Sequence, residues 1–219
     1  MDISKKKEVN LTQTAYQTIK EKIVHGELLP GEVISISAMA KELNISRTPV
    51  TNACQKLEHD KFLTIAPKQG VIIKTLTIDD AREIYELRAA IETYSAKNSF
   101  DFFSQLDIEY LKNSYDKQKL AVQNGDAKAF MSEDTNFHRY LLSKYENTQF
   151  FSVLDILFDR AFLIGLNSCK NSFRLLESLK EHENIINCLQ QKDKQGFIDA
   201  IEKNILDGYK NITISRHNT

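Results

Sequence analysis

The stretch LNISRTPVTNAC, residues 43–54, predicts the end of one helix, a turn and the start of a second helix. Asn44 tolerates the left-handed conformation that often ends a helix, and Ser46 can cap the helix that follows. Pro49 then falls in the first helical turn, where its missing N–H leaves no hydrogen bond unmade. Apolar residues from position 50 onward recur at helical spacing and would hold this helix to its domain. The stretch therefore indicates a helix-turn-helix.

In such a motif the second helix enters the major groove of DNA with its N-terminal residues foremost. Here those residues are Arg47, Thr48 and Thr51. An arginine can donate two hydrogen bonds to guanine or hold a phosphate, and the hydroxyl groups reach phosphates or base edges. Similar turns also join helices in ordinary enzymes, so the motif alone leaves both interpretations open.

A basic hairpin after this motif favours DNA binding. Residues 62–65 and 71–74 are rich in β-branched residues and are joined by APKQG, in which Gly70 is free to take a positive φ. Lys68 and Gln69 would lie at the tip, beside the minor groove or the phosphates. A helix-turn-helix followed by such a hairpin is a winged helix.

The segment before the motif predicts a polar arm, a helix and a strand. Residues 1–10 are polar and contain several lysines, which is typical of a terminal arm. Residues 12–25 predict a helix that Gly26 ends, and residues 34–36 fit a short strand. Ser37 is a candidate N-cap for the helix that precedes the turn.

The whole chain has the composition of an ordinary globular protein, with 42% hydrophobic and 27% charged residues, so its core can be substantial. No apolar run approaches the roughly 18 residues of a membrane span, and residues 1–7 lack the apolar segment of a signal peptide. We therefore expect a cytoplasmic protein with no membrane partner. Cys54, Cys169 and Cys188 lack the spacing of metal ligands, and we expect them to be buried hydrophobic residues without a disulfide.

Charge and proline both divide the chain near residue 75. Residues 1–75 carry 11 Lys and Arg against 8 Asp and Glu, whereas residues 76–219 carry 18 against 22. The excess of positive charge in the first part suits a partner that carries phosphates. All three prolines lie in residues 1–75, and the other 144 residues contain four glycines, which favours helices packed on helices. We predict a DNA-binding domain at residues 1–75 and a domain for effector binding and dimerisation at residues 76–219.

The second part predicts about six helices, which begin near residues 77, 107, 126, 147, 172 and 193. In the first of them Ile84, Leu87, Ile91 and Tyr94 recur at helical spacing and are predicted to face the core. The predicted fold is therefore mainly α: an N-terminal winged helix-turn-helix followed by an all-helical antiparallel bundle.

Four polar side chains occupy core-spaced positions in this bundle. Asp134 and His138 lie one turn apart on one helix, His182 lies on another, and Asn204 on the last. Burial without partners would cost roughly 1 to 3 kcal/mol for each. One divalent metal, zinc, nickel or manganese, would satisfy them together. Alternatively, Asp134 pairs with His138 within its helix and His182 is an ordinary core histidine.

The N-terminal part carries a combined pattern of Tyr16, Gly26, Pro30-Gly31, Ala40, Ser46 to Val50, Ala53, Leu57 and Pro67 to Gly70. This pattern resembles the signature of the GntR family of bacterial winged-helix repressors over residues 12–75. The resemblance implies that Arg47 and Thr48 contact DNA and that Gly70 lets the wing approach the minor groove. Thr51, Asn52 and Cys54 replace the usual Arg, Glu and Leu, and Ser37 replaces a frequent charged residue, so the operator is expected to differ. The candidate DNA contacts are Ser37, Ser46, Arg47, Thr48, Thr51, Lys68, Gln69 and Gly70.

The C-terminal part carries the segments EIYELR at residues 83–88, Ile91-Glu92, Phe137-His138 and Glu181-His182. These resemble the helical effector domain of the FadR subclass of GntR regulators over residues 77–212. Many members hold a divalent metal through one aspartate and three histidines, and the metal helps to hold a small carboxylate. Asp134, His138 and His182 match the first three ligands, whereas Asn204 stands in place of the third histidine and would be a weak ligand. Arg88 is either a contact for the carboxylate or an exposed helix residue.

These observations predict a transcription regulator, a repressor, that binds a palindromic operator as a homodimer and is controlled by a small organic acid. A two-fold operator requires two recognition helices about one DNA turn, or a small multiple of it, apart. Two alternatives remain open. One is a metal-dependent enzyme that uses Asp134, His138 and His182, although no general base or nucleophile is evident near them. The other is a constitutive DNA-binding protein without an effector.

Overall fold

The computed structural model describes residues 3–168 and 172–217, with side chains described at residues 10–165 and 174–210. The chain forms two compact units, Met1–Leu76 and Thr77–Thr219. Within the described residues no helix combines the length and the apolar character needed to cross a membrane. Cys54 and Cys188 are free and buried, and Cys169 lies outside the described residues.

The first unit is a winged helix-turn-helix, as predicted. Its elements are α1 (Ile3–Val24), β1 (Val33–Ile34), α2 (Ile36–Glu42), α3 (Arg47–His59), β2 (Leu63–Ala66) and β3 (Gly70–Ile73). The three strands form an antiparallel sheet in the order β1-β3-β2, and α1 packs against α3. Residues 3–10, predicted as a polar arm, belong to α1, so this prediction was wrong.

The turn before α3 has the predicted geometry, but the cap of α2 does not. Asn44 adopts a φ of 53°, and Ser46 occupies the N-cap position of α3, although its side chain makes no capping hydrogen bond. Ser35, not Ser37, caps α2, because its Oγ accepts from the backbone N of Ala38 at 3.0 Å. The strand ends at Ile34 and the chain enters the helix at once, which places Ser37 inside the first turn.

The hairpin of β2 and β3 forms the wing. Gly70 adopts a φ of 119°, and a Cβ at this position would lie 2.7 Å from the carbonyl oxygen of Ile34. Only glycine fits both the backbone conformation and the close approach of β1. Lys68 also has a positive φ, 67°, which turns the tip of the hairpin.

Among its described residues the second unit contains only helices and the loops that join them, and its six α-helices match the predicted number. The elements are α4 (Ile78–Ser99), a short 3-10 helix (Phe100–Phe102), α5 (Gln105–Gln123), α6 (Ala127–Ser143), α7 (Thr148–Ser168), α8 (Ser172–Gln191) and α9 (Lys194–His217). Thr77 and Asp80 form a capping box at the start of α4, and Asp126 caps α6. Ser104 and Asp107 form a second capping box, so α5 begins slightly before the predicted position.

Helix α4 buries a narrower face than its apolar pattern predicts. Ile84 is buried, but Leu87 and Tyr94 are exposed, so their predicted inward orientation was wrong. α4 packs mainly on α9 and α7, and the described residues leave the apolar stripe of Leu87 and Tyr94 on α4 uncovered.

Candidate functional site

The start of α3 presents a basic and hydroxyl-bearing surface. Arg47 and Thr48 are exposed, and within the described residues the Arg47 guanidinium makes no hydrogen bond or ion pair. Thr51 is half-buried, and its hydroxyl donates to the backbone oxygen of Arg47 at 3.0 Å. Pro49, Val50, Ala53, Cys54 and Leu57 are buried and anchor the opposite face of the helix.

The other candidate DNA contacts lie on the turn, on α2 and on the wing. Ser46 precedes α3 and is exposed, and Ser37 is exposed on α2. Lys68 and Gln69 are exposed at the tip of the wing, beside Gly70. All of these side chains are therefore accessible to solvent.

Asp134, His138 and His182 come together in the second unit. Asp134 and His138 lie one turn apart on α6, and His182 reaches them from α8. Each residue offers one ligand atom, and these atoms all lie within 4.8 Å of one another. Nε2 of His182 and Oδ1 of Asp134 are 3.4 Å apart. Helical spacing predicted that Asp134 and His138 lie on the same face of one helix. The position of His182 beside them follows from the packing of α8, which local spacing does not reveal.

His182 is a fully buried histidine with one ring nitrogen engaged and one without a partner. Its Nδ1 lies 2.6 Å from Oε1 of Gln118, so Nδ1–H donates to this amide oxygen. Its Nε2 is buried and has no hydrogen-bond partner among the described residues. Phe137 stacks on the ring at 4.5 Å between centroids. Burial lowers the pKa of His182 to about 3, so the ring is neutral. With its proton on Nδ1, the ring turns the lone pair of Nε2 toward the Asp134 carboxylate.

His138 is held by a carboxylate from another helix. Its Nδ1 lies 2.7 Å from Oε2 of Glu92, and Oε1 of Glu92 accepts from Nε of Arg88 at 2.8 Å. Burial alone would raise the pKa of Glu92, but the Arg88 guanidinium and His138 outweigh this effect and lower the pKa. The proposed pairing of His138 with Asp134 inside the helix is therefore replaced by a contact with Glu92.

Arg88 is buried, so its alternative interpretation as an exposed helix residue was wrong. Its guanidinium carbon lies 4.9 Å from the ring centre of Phe158 and 5.4 Å from that of Tyr85. Beyond the bond from Nε to Glu92, the terminal nitrogens make no hydrogen bond within the described part of the chain. These nitrogens can therefore receive an anion.

Asn204 is buried on α9 and is oriented by an ion pair. Its Nδ2 donates to Oε2 of Glu181 at 2.8 Å. Arg174 donates to both oxygens of Glu181 at 2.9 Å. Because the amide nitrogen is engaged, Oδ1 is the only atom of Asn204 that can serve as a metal ligand.

The geometry of both units agrees with their similarity to known families. Residues 11–73 match the gntR family of bacterial regulatory proteins, and residues 83–206 match the FCD domain. This chain belongs to the GntR family. Its members are transcription regulators, so the protein is a transcription regulator with a DNA-binding domain, and the enzyme alternative was wrong.

Individual relatives of this GntR-family regulator span both units. It is 26% identical over 187 residues to the HTH-type transcriptional regulator YdhC of Bacillus subtilis, covering 82% of this chain and 81% of the relative. It is 25% identical over 197 residues to the HTH-type transcriptional repressor RspR of Escherichia coli K12, covering 88% and 83%. The solved structure of McbR/YncC from E. coli has the same fold, with a TM-score of 0.80, 20% identity and coverage of 94% and 98%.

Sequence reasoning missed the partner of each histidine in this GntR-family regulator. Gln118 lies seven residues after buried Leu111 on α5, so its core spacing was a detectable signal. Glu92 lies one turn after Arg88, a spacing that is typical of an ion pair but says nothing of a contact with His138. Both contacts span more than 40 residues of sequence, and no local pattern predicts such pairs.

Proposed function

We propose that this GntR-family regulator is a repressor, released from its operator by a small organic carboxylate that binds with a divalent metal in the second unit. The proposal is carried by the two acceptors, Nε2 of His182 and Oδ1 of Asp134, that face each other at 3.4 Å. The lone pair of the fully buried Nε2 and the half-buried Asp134 carboxylate repel each other at this distance, and a cation between them would remove the repulsion. Repression as the mode of regulation is supported by the name of the relative RspR.

The donor set fits a divalent metal. Two ligands of a tetrahedral zinc ion, each about 2.1 Å from the metal, are separated by about 3.4 Å. The distance from Nε2 of His182 to Oδ1 of Asp134 is also 3.4 Å. Imidazole and carboxylate together suit zinc, nickel and manganese. Asp134, His138 and His182 would hold the metal, with Oδ1 of Asn204 as a weak fourth ligand.

The charge of the site favours an anionic effector. Both imidazoles are neutral in a metal site, so Asp134 alone would leave a divalent cation with net positive charge. A bound cation would attract and hold one carboxylate oxygen. Arg88 offers its terminal nitrogens to the same anion, and its planar guanidinium suits a carboxylate.

Arg88→Lys is expected to weaken the response to the effector about tenfold or more, because lysine retains the charge but loses the two parallel hydrogen bonds. Metal-loaded protein would be bound to a duplex selected from a random library and titrated with a panel of small carboxylic acids. The wild type should release the duplex with at least one acid. Arg82→Lys, on an exposed face of α4, is the matched control and should respond as the wild type does.

Two results would contradict the proposal. An equal response in Arg88→Lys and the wild type would remove Arg88 from the effector site. A wild type that binds the duplex but responds to no acid, with or without metal, would favour the constitutive DNA-binding protein.

The uncovered stripe of α4 supports a homodimer on a palindromic operator. α4 and α7 run antiparallel: Asp80 bonds Arg160 at 3.3 Å at one end, and the rings of Tyr94 and Phe150 lie 5.8 Å apart at the other. Leu87, Tyr94 and Val153 on these two helices are 44%, 51% and 41% exposed. We propose that a second copy of the chain covers this face, because a two-fold DNA site needs a two-fold protein.

Leu87→Glu is expected to convert the dimer to a monomer, since a carboxylate in the centre of an apolar interface loses its hydration. Sedimentation velocity would report a mass near twice the chain mass of 25.2 kDa for the wild type and the chain mass for the variant. Leu120→Glu, at an exposed leucine of α5, is the control and should remain dimeric. A Leu87→Glu variant that stays dimeric would place the interface elsewhere.

A further inference from the structure

We infer that Glu92 and Gln118 are positioning residues that fix the tautomers of His138 and His182, so that both rings keep their protons on Nδ1 and leave Nε2 to the metal. This inference rests on the proposed metal site and assigns roles to two residues outside the ligand set. It starts from the two short contacts, 2.7 Å from His138 to Glu92 and 2.6 Å from His182 to Gln118.

Glu92 determines the tautomer of His138 because its carboxylate can only accept hydrogen bonds. One oxygen accepts from Nε of Arg88, whose positive charge favours the ionised carboxylate, and the other oxygen faces Nδ1 of His138. The proton of the ring must therefore lie on Nδ1. Its Nε2 then carries the lone pair and is the ring nitrogen that remains for the cluster with Asp134 and His182.

Gln118 acts on His182 through its amide oxygen. The amide nitrogen of Gln118 donates to the backbone oxygen of Glu133 at 3.5 Å, which directs Oε1 toward the ring. Nδ1 of His182 donates to that oxygen, so its Nε2 is bare and faces Asp134. Two different helices, α4 and α5, thus orient the two rings in the same way.

A carboxylate at position 92 serves two donors, and an amide cannot. Glutamate offers one oxygen to Arg88 and the other to His138, whereas glutamine offers a single oxygen and presents donors in place of the second. In Glu92→Gln the ring proton of His138 should therefore no longer be held on Nδ1, whereas the tautomer of His182 should be unchanged. Gln118→Met removes the acceptor of His182 at similar volume and should have the converse effect.

The test combines the tautomers of metal-free protein with the affinity for Zn²⁺. Imidazole ¹⁵N spectra of the full chain distinguish protonated from bare ring nitrogens, and its five histidines can be assigned by single substitution. Both His138 and His182 should show a protonated Nδ1 in the wild type. Each variant should change one ring only, and each should weaken Zn²⁺ binding about 10- to 100-fold in competition with a chelator. Glu86→Gln and Gln123→Met, at exposed positions of the same helices, should match the wild type.

The outcomes separate this inference from the proposed function. A wild-type ring with its proton on Nε2 would overturn the inference, as would variants that bind Zn²⁺ within twofold of the wild type. A wild type with the expected tautomers that binds no Zn²⁺, Ni²⁺ or Mn²⁺ would instead overturn the proposed metal site, and with it the role of these two residues.

Discussion

His182→Ala is expected to reduce the affinity for Zn²⁺ by about 100-fold or more, a larger effect than changes at the residues that orient the ligands. The variant removes the ligand that α8 contributes and leaves Asp134 and His138, both on α6, with the weak amide ligand Asn204. The variant thus loses the pair of acceptors, Nε2 of His182 and Oδ1 of Asp134, between which the cation would bind. Elemental analysis after dialysis and titration against a competing chelator would measure the loss. The stabilisation of the wild type by metal, a rise in melting temperature, should disappear with it.

A second substitution and a control separate ligand loss from unfolding. His182 is fully buried, so alanine also leaves a cavity that destabilises the core. His182→Gln fills most of that space with a poor ligand and should lose metal binding while retaining more of the unfolding free energy. His25→Ala changes an exposed histidine and should retain full binding. Unaltered Zn²⁺ binding in both His182 variants would show that the metal lies elsewhere or is absent.

Arg47→Ala is expected to weaken operator binding about 10- to 100-fold, the value of one good arginine contact at roughly 1 to 3 kcal/mol. Arg47 is exposed at the first position of α3 and is not engaged by the described part of the chain. Its loss should therefore leave the free energy of unfolding unchanged. Fluorescence anisotropy between 50 and 200 mM salt would measure the affinity, with Lys56→Ala, exposed in the last turn of α3, as the control.

The salt dependence shows which contact Arg47 makes. A phosphate contact predicts a uniform loss on all duplexes and a salt slope reduced by about 1. A guanine contact predicts a loss confined to operators with that base. Arg47→Ala protein that binds the operator as tightly as Lys56→Ala would exclude Arg47 as an operator contact.

The sequence was most informative where local rules decide the structure. Asn44 and Gly70 adopt positive φ as their residue types predict, and Thr77 and Asp126 cap their helices. The prediction of Ser37 as the cap of α2 failed because Ser35 can also cap a helix, and only the end of β1 decides between the two serines.

Features that depend on the packing of distant segments were beyond the sequence. The helical period brought Asp134 and His138 to one face, but it could not show that Glu92, 46 residues away, engages His138. The same period predicted that Leu87 is buried like Ile84, but Leu87 is exposed. The period does not tell how wide a face of the helix the neighbouring helices cover. Arg88 was ambiguous for this reason too, because its burial depends on Phe158 and Glu92.

The candidate metal site draws its ligands and their partners from α4, α5, α6, α8 and α9. A cation bound there would cross-link segments that are separate in the unfolded chain, and free metal at 100 times its dissociation constant would add about 2.7 kcal/mol to the unfolding free energy. Proteases degrade the unfolded fraction, so a change of this size would alter abundance severalfold. The amount of regulator in a cell would then follow the metal supply, even when the effector concentration is constant.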